Sequence, residues 1–161
     1  MIAKDKIDIA KEFIDKGLKL QLEGKLDEAR MNYKMSIDLF PTAEAHTYLG
    51  WVFSLQNQYE QAIKECYKAI ELDRNFGNPY NDIGSYLIHL GKLNEAIPWF
   101  FKAINSPNYI PRHYPYFNLG RVYERKGEWL KAIEYYKEAF RLNPNYEIAN
   151  QAQMRLISMM N

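Results

Sequence analysis

The sequence predicts an all-α solenoid of four tandem helix–turn–helix repeats closed by a C-terminal capping helix, and the prediction rests on three observations. Glycines recur at Gly17, Gly50, Gly84 and Gly120, at intervals of 33, 34 and 36 residues. Twelve residues after each stands an alanine, Ala29, Ala62, Ala96 and Ala132, and four further on a larger side chain, Tyr33, Cys66, Phe100 and Tyr136. Three beyond that comes a small one: Ser36, Ala69, Ala103 and Ala139. A period in the thirties marks stacked helical hairpins, because one hairpin cannot bury its apolar face alone.

Each element follows from that register. A glycine or alanine in mid-helix lets a second helix approach closely, and larger apolar residues at i, i+3, i+4 and i+7 fill the space left. In the last repeat Phe117, Leu119 and Tyr123 do this on the first helix, and Ile133, Tyr136 and Phe140 on the second. Reversals are expected at Glu23-Gly24, Gln56-Asn57, Leu90-Gly91 and Lys126-Gly127. Asp73 and Asn143-Pro144 mark exits of second helices. Helices are therefore predicted at about 8–22, 26–39, 43–56, 59–72, 77–90, 93–105, 113–126 and 129–142. A ninth, about 146–160, carries Ala149, Ala152, Leu156 and Met159 on one stripe and suits an end cap. Pro98, lacking an N–H, is expected to kink its helix or to sit within the opening turns.

Composition narrows the function. With 21 basic against 20 acidic residues the formal charge is +1, too small for a nucleic-acid face or a polybasic membrane anchor. The longest apolar patch, Ala96-Ile97-Pro98-Trp99-Phe100-Phe101, ends at Lys102, far short of a membrane span. Met1-Ile2-Ala3-Lys4-Asp5-Lys6 leads into no signal-peptide core, so a cytoplasmic protein is expected. One cysteine, Cys66, allows neither an internal disulfide nor a thiolate cage, and its register makes it a buried structural thiol.

The sequence offers no catalytic or cofactor motif: no phosphate-cradling glycine loop, no Gly-x-Ser-x-Gly and no His-Glu-x-x-His. His46, His89 and His113 fall on three helices without ligands at i+3 or i+4, so no metal is expected. His46 reads as a partly exposed histidine in an aromatic slot. Glu12/Asp15 and Glu124/Glu128 read as solvated helix faces. No enzyme and no cofactor are expected.

The residues carry a family resemblance. Tyr116, Leu119-Gly120, Tyr123, Ala132, Tyr136, Ala139 and Pro144 resemble the tetratricopeptide repeat pattern. Tyr80, Ile83-Gly84, Leu87, Ala96, Phe100 and Ala103 do so in the third repeat, and His46, Leu49-Gly50, Phe53, Ala62 and Ala69 more weakly in the second. The first matches at Phe13, Gly17, Ala29, Tyr33 and Pro41, with Lys16 where the family has leucine. The resemblance implies one right-handed α-solenoid domain over 1–161, with repeats at about 10–42, 43–76, 77–112 and 113–146 and the cap at about 146–160. It also implies a protein–protein interaction adaptor whose first helices line a concave groove.

Helical phase places Thr47 and Trp51, then Asn78, Asn81 and Ser85, then Tyr114, Phe117, Arg121 and Arg125 on that groove. Trp51 and Phe117 suit anchors, the asparagines suit the main chain of an extended peptide, and the arginines suit a carboxylate. The expected partner is thus a protein or peptide segment, extended and partly acidic, with no nucleic acid and no membrane. The plainer alternative packs Trp51 under a neighbouring repeat and pairs the arginines with Glu124 and Glu128. The acidic chaperone tail known to bind such grooves is not expected, because Ile14, Leu18, Tyr48, Asn78 and Asp82, or Thr47, Trp51, Asp82, Tyr114 and Asn118, lack its basic clamp. The segment 105–112, with Pro107 and Pro111, reads as a surface insertion or as a lip offering Tyr109 and Ile110. The rival function is a homo-oligomeric scaffold joined at solenoid ends through Met154, Met159 and Met160.

Overall fold

A computed structural model describes residues 3–160; Met1 and Ile2, which open the stretch read above for a targeting signal, lie outside the described residues, as does Asn161. Among the described residues there are nine helices and no strand: α1 (Ala3–Leu22), α2 (Leu26–Leu39), α3 (Ala43–Leu55), α4 (Tyr59–Leu72), α5 (Asn78–His89), α6 (Leu93–Ile104), α7 (His113–Arg125), α8 (Trp129–Leu142) and α9 (Glu147–Met160). This is an all-α solenoid of helix pairs with a ninth, capping helix. The expected boundaries hold to within a residue or so, except that α1 begins five residues early, its Ile7, Ile9 and Ala10 continuing the inward stripe. No helix among the described residues is long and apolar enough to cross a membrane.

The helices lie in two compact units, one ending at Arg74 and one starting at Asn75. In the first, α1 pairs with α2 and α3 with α4, and Ile14, Leu20, Ala29, Tyr33, Ala45, Leu49 and Val52 form a buried cluster shared by α1, α2 and α3. The Thr42 hydroxyl accepts from the Ala45 N–H at 3.1 Å and caps α3. Between α3 and α4, Asn57 takes the left-handed backbone (φ 59°) that Gly24, Gly91 and Gly127 supply at the other turns. Cys66 is fully buried, as its slot requires.

Two polar residues of this unit are more deeply used than their positions indicate. Gln21 is buried and accepts from the Tyr33 hydroxyl at 2.9 Å. His46 is not partly exposed but buried, its Nδ1 2.6 Å from a Glu65 carboxylate oxygen, while Lys68 donates to the other at 2.8 Å. Burial pushes the Glu65 carboxyl up, but the hydrogen bonds from His46 and Lys68 prevail and hold it below the ordinary carboxylate value. Ser36 fills the slot that is alanine in the other repeats, and among the described residues its buried Oγ has no hydrogen-bond partner. Replacing it with alanine removes an unsatisfied hydroxyl, so Ser36→Ala is expected to raise unfolding stability by about 0.5–1 kcal/mol in a urea titration. A loss of stability would contradict that reading of the site.

The second unit stacks α5–α6, α7–α8 and α9, with Ile83, Phe100, Leu119, Val122, Tyr136 and Leu156 in its interior. Proline stands in the opening turns of α5 and α7, where no N–H partner is lost. Pro98 lies in the second turn of α6, on the exposed side, so the Asn94 carbonyl it leaves without a helical donor can meet water.

The insertion at 105–112 is docked, not free. Asn108 bridges in parallel to Phe76, and its N–H donates to the Asn75 carbonyl at 3.1 Å. Arg112 donates through Nε to the Ile104 carbonyl at 2.9 Å and through Nη2 to that of Ser106 at 3.1 Å. Tyr109 is buried, and it occupies the space a side chain at Gly77 would need. Tyr109 is therefore an anchor of the insertion and no part of a lip; of the two residues expected on such a lip, Ile110 alone stands out, 93% exposed.

Candidate functional site

In the second unit the parallel phases of α5 and α7 bring polar side chains of both helices together. Asn118 Nδ2 on α7 donates to Asn81 Oδ1 on α5 at 3.1 Å. Arg121 Nη1 donates to Asn118 Oδ1 at 3.0 Å, so the two amides hold the guanidinium in place. One turn on, Arg125 Nη1 donates to the Ile88 carbonyl at 2.8 Å. Arg125 thus reaches across to α5, while Arg121 is held from its own helix by Asn118, and among the described residues neither is in an ion pair. The alternative pairing with Glu124 and Glu128 does not occur: Glu124 is held by Arg155, and Glu128 by Lys126 and Lys131.

The local field is positive at this end of the two helices. Burial lowers the His89 imidazole below its ordinary value, and Arg121 and Arg125 beside it push further the same way. Nearer the helix starts burial dominates. Asp82 keeps a partly exposed edge but is so closely surrounded that its carboxyl is pushed up to about 7, against the opposing hydrogen bond of Asn81. Burial also pushes up the Tyr109 phenol, with the Asp82 charge adding to it.

Beside this face a cleft opens between α7, α8 and α9, lined by Phe117, Tyr136, Ile148 and Ala152, with Arg121, Glu124, Gln151 and Arg155 among its polar members. The Tyr136 hydroxyl donates to Glu124 Oε2 at 2.7 Å, and Arg155 Nη2 donates to Oε1 at 2.7 Å. Glu124 is thus no solvated helix-face acid but the post between two helices. Phe117 packs 5.2 Å from the Tyr136 ring and 5.3 Å from that of Tyr146, which also meets Tyr114 edge-on.

Of the residues assigned to partner binding from helical phase, Asn78, Asn81, Ser85, Tyr114, Phe117, Arg121 and Arg125 all lie on α5 and α7. Asn81 and Arg121 are brought together through Asn118. Tyr114 is 43% exposed. Thr47 and Trp51 lie on α3, in the first unit. Trp51 is 44% exposed, but Thr47 is buried and spends its hydroxyl on the Ala43 carbonyl at 2.7 Å, so it offers a partner almost nothing. The sequence reading missed Asn118 and the α9 wall. Ile148, Gln151, Ala152 and Arg155 follow i, i+3, i+4, i+7 spacing, a second stripe that the capping role had obscured. Among the described residues no group of three or more His, Cys, Asp or Glu side chains is placed to hold a metal ion.

Comparison with known proteins bears on this arrangement. Models of the tetratricopeptide repeat match residues 43–76, 78–107 and 113–146. The chain belongs to the tetratricopeptide repeat family. It is a repeat scaffold of the protein-interaction class. It is 27% identical over 134 residues to the type IV pilus assembly protein PilF of Pseudomonas aeruginosa, covering 83% of this chain and 53% of that one. The chain therefore spans about half the length of that relative. A solved structure of Pseudomonas aeruginosa pilF matches with a TM-score of 0.89 at 24% identity, over 97% of this chain and 71% of that one. YrrB, described as a TPR protein with an unusual peptide-binding site, matches with a TM-score of 0.71 at 21% identity, over 90% and 74%. At those identities the two structures speak for the fold.

Proposed function

We propose that this tetratricopeptide scaffold captures an extended, partly acidic segment of another protein on the α5–α7 face, with no catalytic step. The observation that carries the reading is Arg121: a guanidinium held by Asn118 yet in no ion pair among the described residues, beside Arg125 and His89. A carboxylate arriving there would find charge-assisted donors already aimed. Asn78, Asn81 and Ser85 would serve the main chain of the segment, with Tyr114 and Phe117 as aromatic contacts. Trp51, on the first unit, would be an additional anchor of its own. The peptide-binding description of YrrB, a structure of like fold, agrees with this use of the repeats.

The test is selection from a random heptapeptide library displayed on phage, followed by titration of a selected peptide in fluorescein-labelled form. Wild type is expected to enrich Asp and Glu. Arg121→Glu is expected to weaken the selected peptide by about tenfold or more and to flatten its salt dependence, with far-UV circular dichroism unchanged. Binding by Arg121→Glu equal to wild type would remove the acidic site from this face.

A second reading, self-association, is favoured by the exposure of Leu130 (70%), Met154 (57%), Met159 (56%) and Met160 (45%) at the far end of α8–α9. Sedimentation velocity across concentration separates the two: a monomer throughout leaves peptide capture alone.

A further inference from the structure

We infer that the cleft between α7, α8 and α9 takes one apolar side chain of the captured segment, set within a residue or two of the carboxylate that lies on Arg121. The inference rests on the reading above that the segment is acidic, and adds the second half of its recognition pattern. Three features support it. The cleft is walled by the rings of Phe117 and Tyr136 and by Ile148, half exposed where an ordinary helix face would carry a polar residue. Ala152, small and only partly covered, leaves open the space between α9 and α7 that a longer side chain would fill. The polar members are already engaged with one another: Glu124 accepts from both Tyr136 and Arg155, so the cleft presents no unpaired acid to draw a basic side chain.

Charge complementarity then fixes the order of contacts. Arg121 lines the cleft and is also held by Asn118, so it stands where the cleft meets the α5–α7 face. A ligand carboxylate on Arg121 brings the neighbouring side chain of the same segment over Phe117 and Ala152. A basic residue there would face Arg121 and Arg155 across the opening. An aliphatic or phenyl group instead buries its apolar surface against Phe117 and Ile148.

The experiment uses the full chain and the same heptapeptide library, selected in parallel on wild type and Ala152→Phe, which fills the cleft and leaves every cation in place. Wild type is expected to enrich Leu, Ile, Met or Phe within two positions of Asp or Glu. Changing that apolar residue to Ser in the labelled peptide should weaken binding to wild type by about tenfold. Ala152→Phe should weaken the parent peptide by a similar factor and be indifferent to the Ser change. Ile148→Ser, on an exposed side chain that folding does not need, should weaken the parent peptide several-fold and the Ser peptide not at all. Enrichment of acidic peptides without an apolar position, or wild-type affinity in both variants, would overturn the cleft assignment while leaving the acidic face standing. Enrichment without acidic residues would overturn the acidic reading, and the cleft assignment with it.

Discussion

Tyr136→Ala is expected to cost about 4 kcal/mol of stability, a fall in Tm on the order of 10 °C, because three independent contacts meet in that ring. Its side chain is almost fully buried, and it lies against Gly120, where a Cβ would come within 2.5 Å of the ring. Alanine leaves a cavity that the close α7–α8 crossing cannot collapse to fill. Phe117 loses one of its two ring contacts and keeps Tyr146, and Glu124 keeps only Arg155 of its two hydrogen-bond donors. Tyr136→Phe separates these contributions: it keeps the ring and removes the hydroxyl, and should cost about 1 kcal/mol. Urea unfolding of the two variants gives both numbers, and amide exchange should quicken across α7, α8 and α9 in the alanine variant. Equal losses in the two would mean that the hydroxyl, and not the ring, holds the unit together.

His46→Ala is expected to cost about 3 kcal/mol at neutral pH, since it takes a hydrogen-bond partner from the buried Glu65 carboxylate and leaves it with Lys68. The pH dependence has a definite sign. Glu65 is held below the ordinary carboxylate value in the folded state, so the unfolded chain takes up its proton first as pH falls. The stabilisation from ionised Glu65 is present above its unfolded value and is lost as pH drops through the folded one. The gap between wild type and Glu65→Gln should therefore be full at pH 7 and begin to narrow only once the pH falls to the ordinary carboxylate value of about 4.3. A gap that widens on acidification would show that the carboxyl is folded in its protonated form.

Where one side chain decides the outcome, the sequence was a sound guide. Gly17, Gly50, Gly84 and Gly120 admit only close helix crossings, the turn residues end helices for local reasons, and the predicted boundaries hold to within a residue or so beyond α1. Trp51, one residue past such a glycine, is exposed on the same argument. Where a partner lies far along the chain, periodicity is silent. His46 and Thr47 were legible as polar, but not that Glu65 would reach one or that Ala43 would satisfy the other. Tyr109 looked free because prolines flank it; nothing local says that Gly77 leaves room for its ring. The α9 stripe was masked for another reason: a capping helix has one buried face, and its second face acquires meaning only once Phe117 and Tyr136 are seen opposite it.

The central claim, capture of an acidic segment on α5 and α7, is tested most directly by amide chemical-shift mapping. The uniformly 15N-labelled chain is titrated with a selected acidic heptapeptide at moderate salt. The account predicts shifts grouped at Asn81, Ser85, Phe117, Asn118, Arg121 and Arg125, extending to Ile148 and Ala152, and lost in Arg121→Glu. Shifts confined to Ile110, or to Met154, Met159 and Met160, would contradict it.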